Sequence, residues 1–308
     1  MMKKTNFKAI GVPIDCLAFD GPLQAVERMP DSLRRAGLVQ ALNAEDMGDL
    51  NVRISDRTRD PEFGVIGLAE CRDVTAILRD VTSRTLAAGD RPFFVGGCCT
   101  MAVGIASGMR DYFGQTALVY VDGHLDLYDG KTSYDGKTSW QGEMGDMPMA
   151  ILFGCGPAPA FRRVMGDNPL APENAYIVGY RDYDEARERG SLMPSDISEQ
   201  LNHLPLQDIR AQGIQAAGEG ICRQIEEVDL PFYIHLDLDV MHGDLFPATL
   251  YSLPDGLIWS ELEQLLGPLA QSPRLAAVSI GCYDPDMDEG ERLATDIAIH
   301  VGRIFSGP

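Results

Sequence analysis

Short apolar segments alternate with longer stretches of helical periodicity along this chain, and that pattern constrains the fold more than any other feature. The short segments are rich in β-branched and aromatic residues, whereas the longer stretches place apolar residues three and four positions apart. Strands separated by helices are typical of βαβ units, in which helices cover both faces of a parallel sheet. We therefore predict an α/β fold with strands at residues 7–14, 92–96, 117–122, 175–179, 232–237 and 276–281, and helices that include 29–42, 70–88 and 260–271.

The chain contains no Pro/Gly-rich linker and no shift in composition that would divide it, so we predict one domain over residues 1–308. One short repeat is present, because YDGKTS occupies residues 128–133 and again residues 134–139. Its Gly, Asp and Ser residues are typical of a surface loop. A phosphate-binding loop needs a glycine four residues ahead of its Gly-Lys pair, and Leu125 and Lys131 stand there instead. We interpret the repeat as a tandem duplication that lengthens a loop.

Charge and composition narrow the classes of partner. A net charge of −20 argues against binding to nucleic acid or to an anionic membrane. No apolar run approaches the roughly 18 residues that a membrane-spanning helix needs. The basic start of the chain lacks the apolar core of a signal peptide, and none of the 7 cysteines has a CxxC spacing. We therefore expect a cytoplasmic protein with reduced thiols. The acidic charge says little about the substrate, because a solvated acidic surface gives the same total.

Two apolar strand candidates end in polar residues at alternate positions, in the segments ALVYVDGHLDLY and FYIHLDLDVMHGD. Residues two apart in an extended chain project to the same side, so each segment places three polar groups on one face. These residues are Asp122, His124, Asp126, His235, Asp237 and Asp239. Taken singly, either segment could be a loop with a capping aspartate or a solvated edge strand. Two such segments on buried strands instead indicate bound cations, because an uncompensated buried carboxylate costs several kcal/mol. Carboxylates with an imidazole suit a pair of divalent ions such as Mn²⁺.

These segments resemble the ureohydrolases, the family of arginase, agmatinase and formimidoylglutamase. VDGHLD is similar to the family's DAHxD, and HLDLDVMHGDLFPAT to its SxDxDxxDPxxxPxxG. VGGCCT falls where the family has GGDHS, VGYRDYDEAR resembles its GxRDxDxxE segment, and QGEMGDMPMA its SGNxHGxPxA loop. The resemblance also includes IGVPID and PDSLRRAGL near the start, so it covers nearly the whole chain.

The resemblance implies a three-layer α/β/α fold, a trimer or hexamer, and two manganese ions per chain whose bridging hydroxide attacks an amidino carbon. It implies catalytic roles for Asp126 and His124 and makes Asp122 and Asp237 the bridging ligands. The metal ligands carried over in this way are Asp122, His124, Asp126, Asp237, Asp239 and Cys99.

The position of Cys99 departs from the family pattern, which has a histidine ligand there. A thiolate is a softer ligand, so the site would favour Zn²⁺ or hold one ion weakly. Alternatively, Cys99 is a small buried thiol beside Cys98. The strand residue His235 stands where the family has serine, and we interpret it as a hydrogen-bond partner of a ligand rather than as a ligand.

The substrate side departs further. Gly145 occupies the position of the family's proton-shuttle histidine, and Cys282 that of the glutamate which holds the guanidinium group. A thiol lacks the paired, charge-assisted hydrogen bonds of a carboxylate. Glu143 is a candidate to replace that glutamate, as are Asp284 and Asp286. Asp184 matches a family aspartate that contacts the substrate's amino group, although an aspartate in a turn often caps a helix.

We therefore predict a metal-dependent amidinohydrolase that acts on a C–N bond of a guanidino or amidino compound other than plain arginine. The loss of the family's residues at Cys99, Gly145 and Cys282 leaves two alternatives open. The first is a catalytically silent metal-binding relative. The second is a hydrolase of another small linear amide on the same metal scaffold.

Overall fold

The structure is a computed structural model that describes residues 7–15, 25–130, 142–167, 169–249 and 251–306. The strands are β1 Phe7–Gly11, β2 Glu45–Asp49, β3 Arg91–Val95, β4 Ala117–Val121, β5 Ala175–Val178, β6 Asn202–Leu204, β7 Phe232–Asp237 and β8 Leu275–Gly281. The helices are α1 Met29–Arg35, α2 Leu38–Ala41, α3 Leu68–Ala87, α4 Met101–Phe113, α5 Pro148–Leu152, α6 Ala158–Met165, α7 Tyr183–Glu188, α8 Pro194–Ile197, α9 Leu206–Gln212, α10 Ile214–Glu227, α11 Trp259–Gln271 and α12 Arg292–Ser306.

All neighbouring strands of the 8-stranded sheet are parallel, in the order β2-β1-β3-β8-β7-β4-β5-β6. Helices α3 to α6 pack on one face, and α1, α2 and α10 to α12 on the other. This confirms the predicted three-layer α/β/α fold. The six predicted strands are present, whereas β2 and β6 at the two edges were not predicted. The predicted helix 29–42 is divided into α1 and α2 at Gly37, whose φ of 88° is left-handed.

Side chains alternate between two hydrophobic cores, one on each face of the sheet. In β4, Leu118 and Tyr120 enter the core beneath α3 and α4, whereas Val119 and Val121 enter the other. Because β7 pairs with β4 in register, Tyr120 lies beside His235. A polar row at every second position of β7 therefore faces the side of the sheet that α3 and α4 cover.

The carboxyl ends of β3, β8, β7 and β4 lie side by side, so the residues that follow these strands meet at one edge of the sheet. After β3 the chain turns sharply at Gly96 and Gly97, with φ of 107° and 70°. A Cβ at Gly97 would lie 2.5 Å from the Ile14 side chain, so only glycine lets the turn pack this closely. That turn brings Cys99 back over the sheet.

None of the helices in the described ranges has the length and apolarity that crossing a bilayer requires. Most of the YDGKTS repeat, residues 131–139, lies outside the described residues, so its predicted loop conformation stays a prediction.

Candidate metal centre

Two groups of metal-binding side chains lie at this edge of the sheet. In the first, one donor atom from each of Cys99, Asp122, His235 and Asp237 lies within 4.8 Å of the others, and all four residues are buried. In the second, donor atoms of Asp122, His124 and Asp239 lie equally close together. Asp122 belongs to both groups. The prediction that the ends of β4 and β7 bring their acidic residues together is therefore confirmed.

Backbone amide groups orient three of these carboxylates. The His124 N–H donates to Asp122 Oδ1 at 2.7 Å, and the Asp239 N–H donates to Asp237 Oδ1 at 2.8 Å. The Gly123 N–H donates to Asp239 Oδ1 at 3.0 Å, which links the ends of β4 and β7. Asp122 and Asp237 thus each accept a hydrogen bond from the amide group two residues further along the chain. Asp239 accepts one from the loop after the neighbouring strand β4. These contacts fix the carboxylates before any ion binds.

The first group combines a thiol with carboxylates. The Cys99 thiol donates to Asp237 Oδ2 at 2.7 Å, and its sulfur lies 3.6 Å from Asp122 Oδ2. Burial raises the pKa of Cys99 well above its ordinary value, and the neighbouring Cys282 thiol and Asp237 add to this. Burial also raises the pKa of Asp122 to about 7, with help from the charge of Asp239. Without a cation, these groups therefore hold protons that a metal ion would displace.

The second group contains an ion pair, because His124 Nδ1 lies 3.0 Å from Asp239 Oδ2. Burial disfavours the charged imidazole, but Asp239 and Asp122 together raise the pKa of His124 well above its ordinary value. Burial likewise opposes ionisation of Asp239, yet the charge of His124 and its hydrogen bond lower the pKa of this carboxyl overall. The positive charge of His124 thus offsets part of the negative charge that a bound cation would otherwise offset.

His235 is fully buried, and its two ring nitrogens differ in their surroundings. Nδ1 lies 2.6 Å from Ser279 Oγ and 3.3 Å from the Tyr233 hydroxyl. Nε2 has no hydrogen-bond partner among the described residues. The Tyr120 ring stacks on the imidazole with centroids 4.8 Å apart and planes 23° apart. Burial lowers the pKa of His235 to about 3, so the ring is neutral at physiological pH.

Asp126 occupies a different place from its neighbours on the β4 loop. Neither ligand group of the described residues includes it, and its Oδ2 accepts a hydrogen bond from the Tyr120 hydroxyl. Its backbone φ is 51°, and its side chain lines the same cavity as the two groups. A role for Asp126 as a ligand, like the other site roles assigned by resemblance, stays a prediction.

All members of the two groups except His235 line a cavity of about 310 Å³. Glu143, Gly145 and Cys282 also line it, and their roles on the substrate side stay predictions. Both carboxylate oxygens of Glu143 accept from the Tyr251 hydroxyl, at 2.8 and 3.0 Å. Burial raises the pKa of Glu143 well above its ordinary value, with a contribution from Asp146.

Asp184 does not line this cavity. Its side chain is 83% exposed, pairs with Arg187 at 2.9 Å, and lines a neighbouring cavity. The buried carboxylate of Asp182 lines the metal cavity instead. Burial raises the pKa of Asp182 to about 6.

Sequence reasoning missed several residues that line the cavity. They are Tyr128, Asp146, Asp182, Glu185, Arg189, Tyr251, Ser252 and Leu253. A signal for Asp182 was available, since it follows β5 at the same edge of the sheet and stands two residues before Asp184. Tyr251 stands two residues after the HLDLDVMHGDLFPAT segment, but nothing in that segment predicts its contact with Glu143.

The donor set fits divalent cations. Three carboxylates are buried at one point, and one imidazole nitrogen within that cluster lacks a partner. Such groups are stabilised by a cation, since their mutual repulsion and desolvation are otherwise uncompensated. Two ligand groups that share one aspartate beside a cavity are typical of enzymes that use paired metal ions.

Comparison with known proteins narrows this class. The model of the arginase family matches residues 7–303, and the chain belongs to that family. It is 26% identical over 313 residues to an arginase of Staphylococcus aureus, covering 99% of this chain and 98% of that protein. It is 30% identical over 300 residues to an arginase of Brevibacillus brevis, covering 96% and 95%. In fold it is similar to the solved arginase of Bacillus caldovelox, with a TM-score of 0.83, 20% identity and 99% of each chain covered.

Proposed function

We propose that this chain hydrolyses a C–N bond of a small guanidino or amidino compound other than free arginine, using two divalent cations held by the ligand groups that share Asp122. As a member of the arginase family, it is a metal-dependent amidinohydrolase acting on C–N bonds other than peptide bonds. The shared aspartate is the observation that carries the proposal, because two cations held by these groups would lie close enough to act on one water molecule.

The chain's own residues divide the work. Asp122 would bind to both ions, with His124 and Asp239 holding one of them and Cys99 and Asp237 the other. Bound divalent cations supply Lewis acidity and make hydroxide available near neutral pH. Manganese is the ion that the family resemblance favours for both positions.

The acidic wall of the cavity selects a cationic substrate. Glu143 lines it within hydrogen bonds of Tyr251, and a guanidinium group bound there would meet a carboxylate that is oriented in advance. Asp182 offers a second buried carboxylate on the wall of the same cavity. The neutral Cys282 and the side-chain-free Gly145 leave more room than a glutamate and a histidine would. A modified guanidino group or an amidine therefore fits better than free arginine.

The experiment measures bound metal and turnover together. Reduced, purified protein is loaded with manganese and tested on guanidino, hydroxyguanidino, formimino and linear amide compounds. We expect Asp122→Asn to lower kcat/KM at least about 100-fold, because even hydrogen-bond partners of ligands cost about 10–100-fold. The control is Asp167→Asn, since this side chain is 82% exposed and pairs only with Arg162 among the contacts described.

Each alternative predicts a different result. Less than one bound metal per chain, or metal without turnover of any compound, would favour a silent relative. Turnover of linear amides alone would favour an amidase on the same scaffold. Activity that survives Asp122→Asn unchanged would remove the proposed mechanism. A cytoplasmic location, assembly as a trimer or hexamer, and one domain over residues 1–308 stay predictions.

A further inference from the structure

His235 is a polar side chain whose complete burial costs free energy. It lies on a central strand and is fully buried, and its neighbours along β7 on the other face are apolar. A buried imidazole nitrogen without a partner loses the free energy of its hydrogen bonds with water. The Nε2 atom of His235 is such a nitrogen. Something other than a described protein group must therefore satisfy it.

The surroundings of His235 match those of a metal-binding histidine. Histidine ligands usually direct their second ring nitrogen to a hydrogen-bonding group that fixes the tautomer and the ring orientation. Ser279 and Tyr233 hold Nδ1 in this way, and Tyr120 stacks on the ring. Nε2 is then the nitrogen that remains for an ion.

The position of His235 relative to the other ligands points the same way. One of its ring nitrogens lies within 4.8 Å of donor atoms of Cys99, Asp122 and Asp237. Asp126 is absent from this group among the described residues, and the Tyr120 hydroxyl holds its carboxylate. The same tyrosine thus stacks on the imidazole that is in the group and binds the carboxylate that is not.

We infer that His235 binds a metal ion directly through Nε2 and, with Cys99, Asp237 and the shared Asp122, forms a site that prefers zinc. This differs from the interpretation of His235 as a hydrogen-bond partner of a ligand, and it rests on the proposed function in that both require bound metal. A thiolate, an imidazole and carboxylates in a four-ligand set are the donors that Zn²⁺ takes. The group of Asp122, His124 and Asp239 lacks sulfur and suits a harder ion such as Mn²⁺. The two positions therefore select different metals.

The test uses the full chain, stripped of metal under reducing conditions and given one molar equivalent of Zn²⁺. X-ray absorption at the zinc edge reports sulfur and imidazole neighbours of the ion. We expect one sulfur and one imidazole for the unaltered protein. We expect His235→Ser to lose the imidazole, keep the sulfur, and bind zinc at least about 10-fold more weakly. Serine is chosen because the resembling family has it at this position.

His124→Ser is the matched control, since it removes the imidazole of the second group. It should keep both the sulfur and the imidazole at one equivalent of zinc. Cys99→Ser should lose the sulfur and keep the imidazole, which tests the same group should His235→Ser fail to fold.

The other outcomes separate this inference from the proposed function. An imidazole signal that disappears in His124→Ser and persists in His235→Ser would overturn the inference. So would zinc bound without sulfur or without imidazole in the unaltered protein, while the metal requirement of the proposed function would remain. Failure to bind either zinc or manganese would overturn both.

Discussion

The sulfur atoms of Cys99 and Cys282 lie 3.9 Å apart, at the ends of the paired strands β3 and β8. The family resemblance places a metal-binding histidine at the position of Cys99 and a substrate-binding glutamate at that of Cys282. In this chain both positions carry thiols, and the two thiols are neighbours.

We expect a mild oxidant such as diamide to join these two sulfurs in the metal-free protein. Diamide takes up two electrons and two protons as the S–S bond forms, and Cys99 is then lost as a ligand. Zinc binding should therefore fall at least about 10-fold and return with dithiothreitol. Mass spectrometry of the cross-linked peptides and a zinc titration measure this. Cys282→Ser should protect zinc binding, whereas Cys222→Ser on helix α10 should not, and equal loss in both variants would contradict the pairing.

The next prediction concerns the contact between Glu143 and Tyr251. A cationic substrate beside Glu143 would favour the ionised form of this carboxyl. Replacing Glu143 by Gln removes that possibility, so KM should rise about 10-fold or more with a smaller change in kcat. Tyr251→Phe removes only the hydroxyl that orients this carboxyl group, at 2.8 and 3.0 Å from its two oxygens. It should raise KM only a few-fold, because the loss corresponds to the free energy of about one neutral hydrogen bond. Tyr112→Phe is the control, since this exposed ring lies on helix α4. A fall in kcat alone, with KM unchanged, would argue against substrate contact.

Gly123 tests the link between the two strand ends. A Cβ there would lie 2.8 Å from Asp239 Oδ1 and 2.9 Å from the Asp239 carbonyl oxygen, so Gly123→Ala should displace the ligand. We expect weaker binding of manganese by the group of His124 and Asp239, with zinc binding retained. Isothermal titration of each metal measures this difference. Gly220→Ala is the control, because nothing lies within 4 Å of its added methyl group, and it should leave both affinities unchanged. Equal loss of both metals would instead indicate a general loss of structure.

The stability of the metal-free protein should depend on pH through Asp182. Burial raises the pKa of this carboxyl from 3.8 to about 6, so the folded state holds the proton more tightly than the unfolded state does. Its contribution is complete below about pH 4 and is lost as pH rises towards 6, at about 1.4 kcal/mol for each unit. Melting temperatures between pH 4 and 7 should therefore fall less steeply for Asp182→Asn than for the unaltered protein. Identical slopes would show that Asp182 does not hold this proton.

The sequence predicted the centre of the fold better than its edges. Strands β4 and β7 are buried on both faces and are uniformly apolar up to their first polar ligand, so their limits are visible in the sequence. Strand β2 has the sequence EDMGD and is mostly exposed, and β6 has only three residues, so neither carries a hydrophobic pattern. Their formation depends on pairing with β1 and β5.

In the site, too, the contacts that follow from the local sequence were predictable, whereas the contacts that depend on packing between distant segments were not. The grouping of Asp122, His124, Asp237 and Asp239 follows from alternation along two strands and was predicted. The environment of His235 depends on Ser279 from another strand, and that contact could not be predicted from spacing. Asp184 was placed by motif alone, whereas the turn into α7 directs it to the surface.

Because Asp122 contributes oxygens to both ligand groups, the two ions cannot be taken up as independent events. The first cation would change the binding free energy of the second through that carboxylate, and the second would change that of the first by the same amount. The order in which the two sites bind metal, and the relative concentrations of the two metals in the medium, would then decide whether the protein holds two different metals or two ions of the same metal.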